Sequence, residues 1–257
     1  SSGNGEGTQW ISGAADVTLQ GFDVASPASI TLLPGWNLIG DPLTAPFDLY
    51  VSSVTDGNGT HYTMPQALSQ GLIESTLFAF LLNGYQSTSI LSPWVGAWIK
   101  VADELPGNGT LTLTVSSGTS SAAASQAPAI KTPAEGWLAS IVTSVSGMVD
   151  SSTYFGAAPK ATAGHDRNLD LAKPPMPELG PSVYSCFVND QTSLAVDVRS
   201  TLDTRAKWAL RVDTSAANAD VTLRWPDLQS LPADVRPVLT DQATVSTFYM
   251  RTSYSYT

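Results

Sequence analysis

The sequence has few charged residues, very few cations and almost no cysteine. Only 13% of its 257 residues are charged, and 12 Lys and Arg stand against 22 Asp and Glu, giving a formal net charge of −10. Nucleic acids and anionic membranes select clustered cations, so neither is an expected partner. Cys186 is the single cysteine, which excludes an internal disulfide. Small secreted animal modules often carry disulfides, so their absence favours a bacterial surface protein.

Long apolar runs are also missing. No stretch approaches the roughly 18 consecutive apolar residues of a membrane-spanning helix, so no membrane span is expected. Hydroxyl groups are abundant instead: 58 residues are Ser or Thr, alongside a hydrophobic content of 42%. This composition indicates packed β cores under a hydroxyl-rich surface, as in an extracellular or cell-surface protein. The chain starts at Ser1 rather than Met, which fits removal of a signal peptide.

Composition along the chain predicts a mainly β protein of two β-sandwich-like domains. Residues 1–24 form an N-terminal arm that starts with a glycine-rich polar stretch and contains a candidate strand. Residues 25–117 form the first domain, with one short helix. Residues 118–134 are a Ser/Ala/Pro linker, and residues 135–257 form a second, Ig-like domain.

Two local signals place elements in the first domain. Thr63 followed by Pro65 and Gln66 predicts a capped helix over 64–72. Asn83-Gly84, between two apolar runs, predicts a hairpin whose turn uses these two residues at positive φ.

The second domain has seven strand-like segments separated by turn residues. A long proline-rich loop at 165–181 lies between the first two and is expected to cross the surface as irregular structure. The seven segments are WLASIVTSV, VYSCFV, SLAVDV, KWALRV, ADVTLRW, RPVLT and TFYMRTSYSY.

A family resemblance is carried by PGWNLIGDP, the capped helix, the hairpin and PWVGAWIKV, in that order. This series resembles a β module of large secreted and surface proteins of bacteria, in which GWN-hydrophobic-hydrophobic-G-polar-P precedes PW-x-GYW. Ala97 stands here in place of the tyrosine. The second domain resembles the module that often follows near the C-terminus of such proteins. The resemblance implies the architecture and says little about activity.

The second domain departs from the family pattern at its end. In the family, the strand matching SYSY precedes a turn and a further strand, whereas this chain ends at Thr257. If that strand is missing, the last sheet has an open edge or groove that accepts a strand from another chain. The arm strand at 8–24 is an available donor; alternatively, it pairs within its own domain. The candidate interface residues are Trp10, Ile11, Val17, Leu19, Phe22, Tyr254 and Tyr256.

Catalytic motifs are scarce. Neither His61 nor His165 has metal-protease spacing, and no GxSxG elbow occurs. Cys186 lies in a strand-like segment, where a buried, inert thiol is expected rather than a nucleophile. We therefore expect no enzyme activity, no catalytic residues and no cofactor, although a glycosidase-type carboxylate pair stays open.

Asp166, Asn168 and Asp170 form a D-x-N-x-D run that could wrap calcium. An EF-hand needs Gly and Glu at positions occupied by Leu171 and Pro177, and Asx turns explain the run as well. No metal is predicted.

Seven tryptophans raise the alternative of a carbohydrate platform. Trp36, Trp94 and Trp98 stand in strand-like contexts with Gly96 between the last two, so core packing is expected for them. Trp10 in the arm is the exception, because little around it could bury it.

Three functions follow, in decreasing order of support. The first is a secreted structural subunit of an extracellular filament or surface matrix, with adhesion as an additional role, whose partner is other copies of itself in a head-to-tail polymer. The second is an accessory module of a larger surface protein that binds carbohydrate, such as surface glycans, or protein. A hydrolase is the third.

Overall fold

The computed structural model of the protein describes residues 26–107, 109–117, 130–178, 180–203 and 205–257. Within these ranges the chain is mainly β, with several sheets, one α-helix and two short 3-10 helices. The predicted β class is therefore confirmed. Residues 26–117 are called the N-terminal half below, and residues 130–257 the C-terminal half.

The N-terminal half is built on two antiparallel four-stranded sheets with orders β1-β10-β4-β5 and β2-β9-β6-β7, plus the small pair β3-β8. Its strands are β1 (Ala28–Leu32), β2 (Gly35–Gly40), β3 (Phe47–Asp48), β4 (Ser53–Asp56), β5 (His61–Thr63), β6 (Leu77–Leu81), β7 (Gly84–Thr88), β8 (Ile90–Leu91), β9 (Gly96–Val101) and β10 (Leu111–Val115). Alternating apolar residues of both sheets, such as Leu113 on β10 and Ile99 on β9, are fully buried in one common core.

The predicted helix is present but shorter than expected. Helix α1 (Met64–Ser69) begins after Thr63, whose backbone N–H donates to Oε1 of Gln66 at 2.9 Å. It buries Met64 and Ala67, and a 3-10 helix at Leu49–Val51 lies beside it. Gly71 follows at φ +66, a left-handed conformation that ends the helix before residue 72.

The predicted hairpin is confirmed, but its turn is displaced by one residue. Leu81 pairs with Gly84, so the two loop residues are Leu82 at φ 50 and Asn83 at φ 57. Two positive φ values are those of a type I′ turn. Gly84 is instead the first residue of β7, and the expectation that it supplies a positive φ was wrong.

The C-terminal half is dominated by an eight-stranded sheet, called the main sheet, with the order β16-β14-β15-β12-β11-β17-β20 and β13 beside β15. A hairpin of β18 and β19 is separate, and a 3-10 helix covers Leu228–Ser230. The strands are β11 (Trp137–Val145), β12 (Met148–Ala158), β13 (Leu171–Ala172), β14 (Val183–Asn189), β15 (Thr192–Ser200), β16 (Leu210–Thr214), β17 (Thr222–Arg224), β18 (Val238–Asp241), β19 (Ser246–Tyr249) and β20 (Ser255–Tyr256).

All seven predicted segments of this half overlap strands, but the longest strand was missed. Strand β12 runs over Met148–Ala158, and its middle is polar. Asp150, Ser152 and Thr153 are nevertheless fully buried. Their polarity hides the apolar periodicity by which a buried strand is recognised.

The proline-rich segment between β12 and β14 lies deeper than predicted. It is largely irregular, as expected, but contains the two-residue strand β13, and Ala172, Lys173 and Pro174 are buried rather than on the surface. Residues 170–176 are called the strap below. The strap is buried because polar groups of the sheet pair with Lys173.

The two halves contact each other through the β6–β7 hairpin. Carbonyls of Leu82 and Asn83 accept hydrogen bonds from the N–H groups of Val149, at 2.9 Å, and Val183, at 2.8 Å. Aromatic residues of the N-terminal half join main-sheet residues in one cluster that includes Phe78, Tyr85, Tyr184, Cys186 and Ala195. The hairpin tip therefore fits between the starts of β12 and β14.

Candidate functional site

Five of the seven predicted interface residues lie outside the described residues: Trp10, Ile11, Val17, Leu19 and Phe22. The other two lie at the end of the main sheet. Tyr254 is 75% exposed, whereas Tyr256 on β20 is half-buried against Phe248, with ring centroids 4.5 Å apart. The Tyr256 hydroxyl donates to Oδ2 of Asp241 at 2.6 Å, and this hydrogen bond lowers the pKa of Asp241 to about 2. Tyr254 is therefore available to a partner, and Tyr256 is held within its own chain.

Strand β20 ends the main sheet with very little backbone. It pairs with β17 through Tyr256–Leu223 and Ser255–Arg224 only. Among the described residues no strand pairs with its other side. A two-residue edge offers few hydrogen bonds to an incoming strand.

A longer unpaired edge lies one strand further in, on β11. Strand β12 pairs with β11 from Trp137 to Val145. On the opposite side, β17 pairs only with residues 142–144. Residues 137–141 therefore have a strand partner on one side only among the strands that the structure describes. This stretch is called the β11 edge.

The β11 edge exists because β17 ends early. Arg224 is its last residue, and the next side chain, Trp225, is buried with its indole N–H donating to the carbonyl of Met250 at 2.8 Å. Pro226 follows and has no N–H to continue a ladder. The anchored indole and the proline end the ladder after Arg224, and the segment that follows, including the 3-10 helix, stays beside β11 without pairing with it as a strand.

A cavity of about 480 Å³ lies beside the β11 edge. Its apolar walls include Ile130, Leu138 and Tyr154, and its polar walls include Ser140, Asp227 and Gln229. Leu138 and Ser140 project from the same face of β11, because side chains two residues apart in a strand do so. The cavity therefore combines apolar area with a row of hydrogen-bonding groups, as sites for extended segments do.

Hydrogen bonds and burial set the polar character of this cavity. The buried Ser140 hydroxyl donates to Oδ2 of the exposed Asp227 at 2.6 Å and links β11 to the segment after β17. Burial raises the pKa of Tyr154, although a hydrogen bond with Ser87 of the N-terminal half opposes the shift. The phenol stays protonated at neutral pH, so it is a neutral hydrogen-bonding group in the wall.

The residues considered for chemistry lie elsewhere. Cys186 is fully buried on β14, as predicted, and burial raises the pKa of its thiol. His61 is exposed, and its Nδ1 atom lies 3.4 Å from the hydroxyl oxygen of Thr55. His165 lies in the loop before the strap. Neither histidine is a wall of the cavity. The described residues place no imidazole beside Ser140.

The D-x-N-x-D run forms turns that use its carboxylates. Asp166 accepts from the N–H and hydroxyl of Thr162, and Asp170 accepts from the N–H groups of Asp166 and Val198. Burial raises the pKa of Asp170 to about 6. Within the described ranges no group of three or more His, Cys, Asp or Glu side chains could hold a metal ion.

The division of the tryptophans between core and surface differs from the prediction. Trp36 and Trp98 are half-buried, with ring centroids 6.4 Å apart in edge contact. Trp94 is 91% exposed and has φ 68, so its expected place in the core was wrong. It precedes β9 rather than sharing a strand face with Trp98.

Comparison with protein-family models, with curated proteins and with solved structures finds no match. Among the described residues no helix is both long and apolar enough to cross a membrane.

Sequence reasoning missed Ser140, Tyr154 and Asp227. Ser140 and Tyr154 are neighbours across β11 and β12, and Asp227 is 87 residues from Ser140 along the chain. The only signal was Trp225-Pro226, a residue pair that marks the end of a strand.

Proposed function

We propose that the protein is a secreted structural subunit of an extracellular filament or surface matrix. Two β domains, 25–117 and 135–257, are joined by the linker at 118–134. Each subunit inserts its arm strand from 8–24 beside the β11 edge of the next subunit, and repetition gives a head-to-tail polymer. The single observation that carries this proposal is the unpaired β11 edge with its cavity.

The β11 edge has the length and surroundings that strand addition needs. A strand paired with residues 137–141 would lie in line with β17 and complete the ladder that stops at Arg224. Alternate side chains of that strand would point into the cavity, where Leu138, Ile130 and Tyr154 give apolar contact. Val17 and Leu19 of the arm have this alternation.

The arm can reach a neighbouring subunit. Ser26, its first described neighbour, accepts a hydrogen bond from the N–H of Ser117 at 3.0 Å, so the arm leaves the N-terminal half at the end of β10. Twenty-five extended residues span roughly 80 Å. The donor and its acceptor can therefore belong to different subunits without rearranging either half.

The proposal is tested by negative-stain electron microscopy and multi-angle light scattering of the intact chain and a variant lacking residues 1–24. Filaments or large oligomers from the intact chain, and monomers from the truncation, support it. Monomers from both proteins would exclude self-assembly by the arm.

Point variants test the inserting arm strand and the accepting β11 edge separately. Val17→Ser/Leu19→Ser in the arm and Leu138→Arg in the cavity are expected to stop assembly. Thr18→Ser/Gln20→Ser, on the other arm face, and Leu202→Arg, at a residue 84% exposed, are the matched controls. Mixing the arm variant with the Leu138→Arg variant gives a further check, since the functional arm of one should cap the intact cavity of the other as dimers.

A second candidate function, a carbohydrate- or protein-binding accessory module, is favoured by Trp94 alone. Trp94 has φ 68 in a turn that the N–H of Val95 closes by donating to the carbonyl of Ser92 at 3.1 Å, and this turn leaves the indole 91% exposed. Exposed indoles stack on sugar rings and anchor protein interfaces. Screening an array of surface glycans with the intact chain and Trp94→Ala tests this function: signals that disappear in the variant support it, and no signal argues against glycans.

A further inference from the structure

The strap carries a buried pair that none of the functions above uses. The Nζ atom of Lys173 lies 2.9 Å from Oδ1 of Asp150, and both side chains have zero solvent exposure. Asp150 is on β12, and Lys173 follows β13 in the strap. A lysine and an aspartate are rarely enclosed so completely, because each charge loses its hydration.

The remaining atoms of this pair have fixed partners. Nζ of Lys173 also donates to the hydroxyls of Ser152 at 2.7 Å and Thr153 at 3.1 Å. Oδ2 of Asp150 accepts from the backbone N–H of Ser185 at 2.9 Å. Oδ1 of Asp150 faces the amine and also accepts from the backbone N–H of Ser152 at 3.1 Å, whereas Oδ2 faces the N–H of Ser185.

Two aromatic rings cover the amine. Nζ of Lys173 is 5.6 Å from the centre of the Tyr184 ring and 5.9 Å from that of Tyr85. Burial lowers the pKa of Lys173, although the charge of Asp150 opposes the shift. Burial favours the neutral amine over the ammonium, because only the ammonium loses a strong hydration shell. A neutral amine is a nucleophile.

We propose that Lys173 and Asp150 condense in the folded protein to an amide bond that crosslinks the strap to β12. Nζ of the neutral amine attacks Cγ of the protonated Asp150 carboxyl, forming the C–N bond. Cγ–Oδ1 then breaks, and Oδ1 leaves as water after receiving a proton from Nζ. Oδ2 stays as the amide oxygen. The sum is amine plus carboxylic acid giving amide plus one water, with no oxidant, reductant or cofactor.

Ser152 is placed to transfer the proton. Its hydroxyl lies 2.7 Å from Nζ of Lys173 and 2.9 Å from Oδ1 of Asp150, so it contacts both the donor and the leaving oxygen. It can give its proton to Oδ1 while taking one from Nζ. The N–H of Ser185 stabilises the negative charge that develops on Oδ2 in the tetrahedral intermediate.

The crosslink would fix the contact between the two halves. Within the strap, the carbonyl of Pro175 accepts from the Tyr85 hydroxyl of the N-terminal half at 2.8 Å, and the carbonyl of Pro174 accepts from Tyr184 at 3.1 Å. An amide at Lys173 holds both acceptors in place. A protein without a disulfide would thereby gain a covalent crosslink made by its own fold.

The test is the intact mass of the purified full chain under denaturing conditions. The proposal expects the sequence mass less one water, and a digest containing a branched peptide that joins Asp150 to Lys173. An unreduced mass would overturn it. Loss of water located elsewhere would also overturn it. A succinimide at an aspartate before a small residue, such as Asp56-Gly57 or Asp150-Ser151, also loses one water, but mild base reverses it, whereas the amide resists mild base.

Variants locate the reaction. Lys173→Arg and Asp150→Ala are expected to restore the full mass, and Ser152→Ala to slow the loss of water at least tenfold after refolding. An unchanged rate in Ser152→Ala would remove Ser152 from the mechanism. Lys100 and Asp103 form an internal control, because they pair at 3.2 Å with Asp103 largely exposed and should yield no branched peptide.

Discussion

Each half has an apolar core, but the C-terminal half also buries a cluster of polar side chains on β12. In the N-terminal half, both sheets contribute aliphatic residues to one apolar cluster. In the main sheet, β12 buries Asp150, Ser152 and Thr153 almost in succession. An apolar core is stabilised by area removed from water, whereas a polar core is stable only if every buried group has a partner. An apolar core therefore loses stability in proportion to the side chain that is removed. A buried polar cluster loses stability sharply when any one of its hydrogen-bonding partners is removed.

The largest expected effect comes from breaking the buried pair. Lys173→Met removes the partner of Asp150, and with it the proposed amide, so that a carboxylate stays buried alone; it should lower the free energy of unfolding by about 3–5 kcal/mol. Asp150→Asn combined with Lys173→Met should be more stable than Lys173→Met, because no charge then stays buried. Denaturant unfolding followed by tryptophan fluorescence measures both.

Leu113→Ala gives the corresponding measurement for the apolar core of the N-terminal half. Leu113 is fully buried in the apolar core, and its truncation should cost about 2–5 kcal/mol. Adding Lys173→Met to it should give the sum of the two losses, because Leu113 on β10 and Lys173 after β13 lie in different halves. If Asp150→Asn/Lys173→Met is no more stable than Lys173→Met alone, the buried polar residues of β12 are not coupled and the interpretation is wrong.

The second prediction concerns the place where the two cores meet. A Cβ on Gly84 would lie 2.2 Å from the carbonyl oxygen of Val149, which is backbone and cannot yield easily. Gly84→Ala should therefore push the hairpin tip out of the main sheet and cost about 1–3 kcal/mol. We expect calorimetry to show two separated unfolding transitions in place of one.

Gly40→Ala is the matched control. Gly40 is also a strand residue, and nothing lies within 4 Å of a Cβ added there. Its substitution should change stability by less than about 0.5 kcal/mol. Equal effects at Gly84 and Gly40 would mean that the hairpin contact does not hold the halves together.

Sequence patterns predicted the apolar part of this molecule and failed for its polar part. The strand-like segments included β11, and the Thr63–Gln66 pair marked the start of α1. Strand β12 escaped because its buried residues are polar, so no alternation exists to detect. Lys173 was missed for a different reason: its partners lie 20 to 23 residues away and become neighbours only after folding.

The candidate site could be predicted only in outline. The sequence indicated an open edge near the end of the second domain, and Tyr254 does lie exposed beside the last strand. The more extensive β11 edge depends on the register of β17 and on where Pro226 ends the ladder. Register is set by tertiary contacts, so a single sequence does not specify it.

The third prediction uses Glu74, at the boundary between the cores. Its carboxylate accepts from the N–H of Ala172 in the strap, yet burial raises the pKa of Glu74 to about 7, with Lys100 opposing the shift and Asp103 adding to it. The folded state therefore binds a proton that the unfolded state has already lost above its ordinary value of 4.5. Stability is expected to fall by about 2 kcal/mol as pH rises from 4.5 to 7.

Glu74→Gln isolates this contribution. The variant should lose the slope between pH 6 and 7 and be more stable than the parent at pH 8. Asp170, whose pKa burial raises to about 6, contributes with the same sign but at lower pH, so it is the residual slope in the variant. Denaturant midpoints at half-unit pH steps measure both. An unchanged slope between pH 6 and 7 would place the titration at another group.

The smallest effect is expected where an aromatic residue lies outside both cores. Trp94→Ala should change the free energy of unfolding by less than about 0.5 kcal/mol, because the indole is 91% exposed. Trp225→Ala, at a residue 2% exposed, should cost about 3–5 kcal/mol. Iodide quenching of fluorescence should weaken in Trp94→Ala alone. A loss above 1 kcal/mol at Trp94 would show that the indole stabilises the fold after all. A neutral result would show that the fold does not need this indole, which the turn over residues 92–95 leaves in water.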